Sequence, residues 1–81
     1  MKQILYFTGT WCQPCKNLGP IIDKLSSNIN VNKIDVDNNK ELVMKFNVKS
    51  IPTVILLENG NEIRRFVGSK SENEVLTFIQ A

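Results

Sequence analysis

QILYFTGTWCQPCKNLGP, residues 3–20, contains both cysteines of this 81-residue chain. The run at 3–8 is almost continuously apolar, which is typical of a central strand covered on both faces. The positions after the cysteines predict an amphipathic helix, because apolar residues recur at i, i+3, i+4 and i+7: Leu18, Ile21, Ile22 and Leu25. Cys12 and Cys15 therefore lie where a strand meets a helix.

The middle of the chain predicts a second strand and a second helix. Apolar and polar residues alternate over 31–37, so this strand has one buried face. Asn38 with Glu41 three residues later indicates a helix start. The segment continues the β-α-β-α order begun by the first strand.

The last third predicts a hairpin and a final helix. Asn59-Gly60 separates the runs 53–58 and 62–67, which is a strong hairpin signal. Ser71 and Glu74 match a capping box that opens a helix. We therefore expect an α/β fold of order βαβαββα, with a four-stranded mixed sheet between helices on both faces. Arg64 and Arg65 are expected on a solvated edge.

Length and charge limit the class of protein. We expect residues 1–81 to form a single domain. A net charge of +2, with scattered lysines, argues against nucleic acid or a lipid surface as partner. No apolar run reaches the ~20 residues that span a bilayer, and residues 1–10 lack the pattern of a signal peptide. The expected location is the cytoplasm.

Three kinds of site can contain a C-x-x-C pair. A structural zinc site needs four ligands, and the chain has no histidine and no third cysteine, so only a metal-bridged dimer could complete one. A structural disulfide is disfavoured because the closed loop is very short and reducing compartments rarely keep such bonds. The third reading is a redox-active pair.

Local physics favours the redox reading. Cys12 is expected at a helix N-terminus, where unpaired amides and the helix dipole favour thiolate over thiol. Pro14 is tolerated in the first helical turn, and Lys16 adds a positive charge. Cys15 follows on the same helix face and can reach Cys12 to form a disulfide. We expect Cys12 to be exposed and Cys15 to lie deeper.

The string WCQPCK (residues 11–16) at this junction resembles the active-site motif of the thioredoxin family. The similarity extends along nearly the whole chain. Further matches fall at Pro20, Lys33, Ile51-Pro52-Thr53, Gly60 and Gly68. The resemblance implies a thioredoxin-like three-layer α/β/α sandwich.

The chain departs from the family pattern in three respects. Gln13 stands where thioredoxins usually have glycine. The chain starts at the family's second strand, so it is comparable to a glutaredoxin in size and the strand at 31–36 is expected at an outer edge. Tyr6 replaces the family's buried aspartate, which leaves Cys15 without its usual base and Lys33 without its partner. Tyr6, Lys16 and Lys33 are therefore read as tuning residues.

The resemblance also implies the site and its mechanism. Cys12 attacks a substrate disulfide, and Cys15 resolves the mixed disulfide, so both are catalytic and form the redox-active disulfide. Pro52 is expected to be cis, with Ile51 offering its backbone to an extended substrate. The expected substrate-binding residues are Trp11, Gln13, Pro14, Ile51, Pro52 and Gly68. No metal site is expected.

The resemblance implies a protein-disulfide reductase with no bound cofactor. Electrons are expected from NADPH through a flavin-containing thioredoxin reductase. The expected partners are that reductase and disulfide-containing substrate proteins, with ribonucleotide reductase as one candidate, and the chain is expected to be a monomer. The alternatives are a glutathione-dependent, glutaredoxin-like reductase and a non-catalytic binding module.

Overall fold

The structure, a computed structural model, describes residues 1–80. It contains four strands and three helices in the predicted order βαβαββα: β1 (Lys2–Thr8), α1 (Gln13–Leu25), β2 (Asn30–Asp35), α2 (Lys40–Lys45), β3 (Thr53–Glu58), β4 (Asn61–Val67) and α3 (Glu72–Gln80). Within these residues, none of the helices has the length and apolarity that crossing a membrane requires.

The four strands form one mixed sheet of order β2-β1-β3-β4. β1 and β2 are parallel, as expected for strands joined by a helical crossover. β3 is antiparallel to both β1 and β4. The strand predicted at an outer edge, β2, is indeed an edge strand. The C-terminal ends of β1 and β2 meet at one end of the sheet, where the cysteine motif follows β1.

Helices cover both faces of the sheet, which confirms the three-layer sandwich. The larger apolar core lies between the sheet and helices α1 and α3, and its buried members are Ile4, Tyr6, Leu18, Ile22, Leu25, Val54, Leu56, Phe66 and Val75. The smaller core lies under α2 and contains Leu5, Phe7, Ile34, Ile55 and Leu57. β1 and β3 contribute to both cores because successive side chains of a strand point to opposite faces.

The local signals of the last third form as predicted. Asn59 and Gly60 both have positive φ, 54° and 85°, which is the conformation of a type I′ hairpin turn. The capping box of α3 is complete. The Glu74 amide donates to Ser71 Oγ at 3.2 Å, and the Ser71 amide donates to Glu74 Oε1 at 3.0 Å. The hydrogen bond from the Ser71 amide holds the pKa of Glu74 below its ordinary value.

The start of α2 differs from the prediction by one residue. Asn39, not Asn38, precedes the helix, and its side chain makes no capping bond. Instead the Asn39 Nδ2 donates to the carbonyl of Asp35 at 2.9 Å. The asparagine amide thus ties the loop back to the end of β2, and the Asn38–Glu41 box does not open the helix.

Arg64 and Arg65 lie on the edge strand β4, as expected, but the expectation that they are simply solvated there is wrong. Arg64 Nη1 donates to the carbonyl of Phe78 in α3 at 2.9 Å. Arg65 Nη2 donates to the carbonyl of Phe46, which ends α2, also at 2.9 Å. Helix C-termini carry unpaired carbonyls and partial negative charge, so each guanidinium satisfies one helix end.

Arg65 also forms an ion pair within its own strand. Its Nε lies 2.7 Å from Glu62 Oε2, and both side chains are about a third exposed, at 31% and 34%. The hydrogen bond from Arg65 lowers the pKa of Glu62. The pair holds the guanidinium in the orientation that reaches α2.

Candidate active site

Helix α1 begins directly at the cysteine motif. Cys12 is its N-cap, with extended backbone (φ −95°, ψ 112°), and Pro14 lies in the first turn. The amide of Cys15 donates to Cys12 Sγ at 3.2 Å. An N-cap side chain ordinarily satisfies such an amide with an oxygen, so here a sulfur atom occupies the capping position.

Cys12 and Cys15 form a disulfide, with Cα atoms 5.2 Å apart. The predicted difference in exposure between them is wrong. Both residues are only 4% exposed in this oxidised form. In this form, burial therefore does not separate an outer cysteine from an inner one. Their positions still differ, because Cys12 caps the helix and Cys15 lies within it.

The loop before β3 adjoins the end of β4. The Ile51–Pro52 peptide bond is cis, as the resemblance implied. The amide of Gly68 donates to the carbonyl of Pro52 at 2.9 Å, and Gly68 has a positive φ of 93° that favours glycine. Pro52 and Gly68 are therefore brought together, while Ile51 keeps a half-buried side chain.

Gly9 is a site residue that the sequence analysis missed. A Cβ placed on Gly9 would lie 2.9 Å from Ile51 Cδ1 and 3.2 Å from the indole nitrogen of Trp11. A side chain at position 9 would press on Ile51 and Trp11, so glycine lets the cysteine loop and the proline loop approach this closely without a shift of either side chain. A glycine shortly before the cysteine motif was the available signal.

Trp11 is 64% exposed, which agrees with the expected open indole beside the cysteines. Its Nε1 donates to Asp37 Oδ2 at 3.0 Å. Asp37 is a second residue that the sequence analysis missed. Nothing in the sequence links it to Trp11 except its position just after the parallel strand β2.

A small cavity of about 160 Å³ opens beside Trp11. Most of its lining side chains are apolar, and its full lining is Trp11, Val36, Val43, Val48, Lys49, Ser50 and Ile51. Larger hollows, such as one of about 550 Å³ between β4 and α3, are lined by other residues. The cavity next to Trp11 can receive an apolar side chain.

The predicted tuning residues lie in different surroundings. Tyr6 is 1% exposed, and its hydroxyl donates to the carbonyl of Cys15 at 3.1 Å. Lys33 is directed elsewhere, with its Nζ 3.1 Å from Asp23 in an exposed ion pair. Lys16 is exposed, as are the predicted contact residues Gln13 and Pro14. Of the three tuning residues, Tyr6 is the one with a hydrogen bond to a cysteine residue.

The arrangement is suited to thiol–disulfide exchange. It has a disulfide at a helix start, a backbone donor on the first sulfur and an apolar surface nearby. Residues 1–80 contain no group of three histidine, cysteine or acidic side chains that could hold a metal ion.

Comparison with known proteins gives a consistent result. The thioredoxin family model matches residues 1–81. The thioredoxin of Mycobacterium tuberculosis is 39% identical over 74 residues, covering 86% of this chain and 64% of that protein. The bifunctional thioredoxin reductase/thioredoxin of Mycobacterium leprae is 40% identical over 74 residues, covering 86% of this chain. The solved structure of a mutant thioredoxin from Halobacterium salinarum superposes with a TM-score of 0.92 at 31% identity, covering 98% of this chain and 72% of that one.

The chain is shorter than these curated relatives. It spans 64% of the Mycobacterium tuberculosis protein and 16% of the Mycobacterium leprae protein. The family model nevertheless matches residues 1–81, a range that contains the cysteine motif, Pro52 and all four strands of the sheet. Because the family model matches residues 1–81 and the fold is shared with solved thioredoxins, the chain belongs to the thioredoxin family.

Proposed function

We propose that this chain is a thiol–disulfide oxidoreductase that reduces disulfides in other proteins. The observation that carries the proposal is the Cys12–Cys15 disulfide at the start of α1, with the Cys15 amide 3.2 Å from Cys12 Sγ. A sulfur that accepts an amide hydrogen bond at a helix N-terminus is stabilised as thiolate, which is the form that attacks disulfides.

The reaction proceeds in two exchange steps. In the reduced protein the Cys12 thiolate attacks one sulfur of the substrate disulfide, forms a mixed disulfide and releases the other substrate sulfur as a thiolate. Cys15 then loses its proton to solvent and attacks Cys12 Sγ. The Cys12–Cys15 bond forms, and the second substrate sulfur departs. The protein loses two electrons, the substrate gains them, and solvent protonates the two substrate thiolates.

Substrate docking is proposed at the junction of the cysteine and proline loops. Ile51 precedes the cis proline, and its backbone suits strand-like pairing with an extended substrate segment. Trp11 and the cavity of about 160 Å³ beside it suit an apolar side chain next to the substrate disulfide. Gln13, Pro14 and Gly68 border the same surface in this proposal.

The oxidised pair must be reduced again by another protein. We propose an NADPH-dependent, flavin-containing thioredoxin reductase as the electron source. The Mycobacterium leprae relative, whose name joins a thioredoxin reductase to a thioredoxin, supports this partner. Ribonucleotide reductase is one proposed substrate. The proposed compartment is the cytoplasm, where a reducing environment suits a pair that must be returned to the dithiol form, and the proposed state is a monomer.

Coupled turnover tests the proposal and its electron donor together. The purified chain is mixed with insulin as the disulfide substrate, and NADPH oxidation is followed with thioredoxin reductase or with glutathione and glutathione reductase. We expect turnover in the thioredoxin reductase arm and its loss in Cys12→Ser. Turnover in the glutathione arm alone would favour the glutaredoxin-like alternative, and an absence of turnover in both arms would contradict the proposal.

Two residues of β4 provide a matched test of docking. Val67 is 56% exposed at the end that leads into Gly68, and Ile63 is 38% exposed nearer the hairpin turn. Val67→Ser should raise the KM for insulin several-fold, because apolar contact area is lost beside the proline loop. Ile63→Ser should leave the KM unchanged. Equal effects of the two variants would contradict a docking surface at this end of the sheet.

A further inference from the structure

The chain has a single tyrosine, and it lies against the active-site helix. Tyr6 belongs to the central strand β1 and is 1% exposed within the larger core. Its hydroxyl donates one hydrogen bond, to the carbonyl of Cys15 at 3.1 Å. Buried hydroxyl groups are ordinarily hydrogen-bonded, and the partner of this one is the backbone of Cys15, one of the two disulfide residues.

The turn that follows Cys15 lacks one of the usual helix hydrogen bonds. Pro20 lies inside α1 and has no amide hydrogen to donate to the carbonyl of Lys16. A Cβ placed on Gly19 would meet the Tyr6 hydroxyl at 3.7 Å, so the hydroxyl rests against this same turn. Tyr6 therefore adds a hydrogen bond from outside the helix at the turn that proline weakens.

Both polar backbone groups of Cys15 accept or donate a hydrogen bond to a side chain. Its amide donates to Cys12 Sγ, and its carbonyl accepts from Tyr6. When the disulfide is reduced, the covalent link between the two sulfurs is lost. The Tyr6 hydrogen bond does not involve sulfur and needs no disulfide, so it can hold Cys15 in the reduced protein.

We propose that Tyr6 is a positioning residue for the resolving step: it keeps the reduced Cys15 close to Cys12, so that the disulfide closes rapidly and is favoured at equilibrium. The inference rests on the proposed function. Tyr6 gives no proton or electron in this role. Cys15 loses its proton to solvent and attacks Cys12 Sγ of the mixed disulfide, the Cys12–Cys15 bond forms, and the substrate sulfur departs as a thiolate that solvent protonates.

The physical basis is preorganisation. A thiol that is already held beside its target loses little conformational freedom when the bond closes. A looser Cys15 would lower both the closing rate and the equilibrium constant for disulfide formation. One neutral hydrogen bond limits the size of the effect, so we expect a change of about two- to tenfold.

Tyr6→Phe is the first test, because it removes the hydroxyl and keeps the buried ring. Three quantities are measured: the equilibrium constant against glutathione, the rate at which Cys12 attacks glutathione disulfide, and the rate at which the resulting mixed disulfide closes. We expect the equilibrium constant for disulfide formation and the closing rate to fall about two- to tenfold. The closing rate should fall at least twofold more than the attack rate. Equal falls in the two rates, or no change, would overturn the proposal.

Fluorination supplies a second variant that keeps both ring and hydroxyl. Because Tyr6 is the chain's one tyrosine, 3-fluorotyrosine can be incorporated at this position alone. Fluorine makes the hydroxyl a stronger hydrogen-bond donor while it stays protonated, so the measurement is made below neutral pH. The equilibrium constant for disulfide formation should then shift in the direction opposite to that of Tyr6→Phe. A shift in the same direction would contradict the positioning role.

Ser26→Ala is the matched control. Ser26 Oγ donates to the carbonyl of Asp23 at 2.6 Å, so this variant also removes a hydroxyl-to-carbonyl bond, at the opposite end of α1. It should leave the equilibrium constant and the closing rate unchanged. If Ser26→Ala matches Tyr6→Phe, the effect is one of helix stability, and the proposal fails. Failure of the unaltered chain to exchange with any disulfide would instead remove the proposed function.

Discussion

Helices α1 and α3 begin in the same way but with different atoms. In α3 the hydroxyl oxygen of Ser71 accepts from the amide three residues later, at 3.2 Å. In α1 the sulfur of Cys12 accepts from the amide three residues later, also at 3.2 Å. One cap stabilises a helix, whereas the other also holds an atom that can form and break a bond. The same capping geometry gains a chemical role when the oxygen atom is replaced by sulfur.

The two caps also differ in their surroundings. Ser71 is exposed, and Glu74 completes its box with a carboxylate. Cys12 is 4% exposed, and the first turn of α1 contains no acidic residue. A carboxylate close to Cys12 would oppose thiolate formation, since like charges repel. Burial and the absence of acid distinguish the reactive cap from the structural one.

Replacing the reactive atom is expected to have the largest effect. Cys12→Ser should abolish disulfide reduction, because a hydroxyl cannot form the mixed disulfide. Serine is a favoured N-cap, so the free energy of unfolding should not fall below that of the reduced parent chain. Insulin turnover and urea unfolding in the presence of a reductant measure the two quantities. Retained turnover would show that the cap sulfur is not the nucleophile.

The two cysteines should differ in reactivity once the disulfide is opened. Cys12 is the cap and accepts the Cys15 amide, whereas Cys15 lies inside the helix. We expect iodoacetamide to alkylate Cys12 at least about tenfold faster than Cys15 near neutral pH. Mass spectrometry of the reduced chain after short exposure gives the ratio. Equal rates would remove the chemical distinction between the α1 cap and an ordinary helical position.

Replacing the structural cap should affect stability alone. Ser71→Ala removes the oxygen that accepts the Glu74 amide and should lower the free energy of unfolding by about 1 kcal/mol. Insulin turnover should stay at the parent rate, since the cysteine cap is untouched. A loss of turnover in a chain that is still fully folded would mean that the α3 cap also serves the active site.

The smallest expected effect is on how the free energy of unfolding depends on pH, and it comes from Glu74 in the α3 cap. The pKa of Glu74 is lowered from 4.5 in the folded chain, mainly by the Ser71 amide. A lowered folded pKa contributes stability above the unfolded value and loses it as pH falls through the folded value. Glu74→Gln should therefore reduce stability near neutral pH and make it less dependent on pH below about 4.5. Urea unfolding at several pH values checks this, and an unchanged acid dependence would contradict the box.

Features set by residues close in sequence were predictable. The Asn59-Gly60 turn and the Ser71–Glu74 box need partners only one or three residues apart, so their residue types suffice. The position of Cys12 at the helix start followed from an apolar strand, a short loop and an amphipathic pattern. The cis proline was implied by resemblance and not by local physics.

Features that join distant segments were not predictable. The space that Gly9 leaves open is occupied by Ile51, forty-two positions away. The Tyr6 bond to the Cys15 carbonyl depends on how α1 lies across β1. In each case the decisive contact is set by tertiary packing, which a residue type does not encode by itself.

The paired arginines of β4 have a mechanical consequence. Arg64 and Arg65 are adjacent, so their side chains leave the strand on opposite sides, and each is bonded to a helix of a different outer layer. The strand thus links the two helical layers through the sheet, with one hydrogen bond to a helix on each face. If β4 separated from β3, the hydrogen bonds to the ends of α2 and α3 would be lost together, so local unfolding of this edge would loosen both helical layers at once.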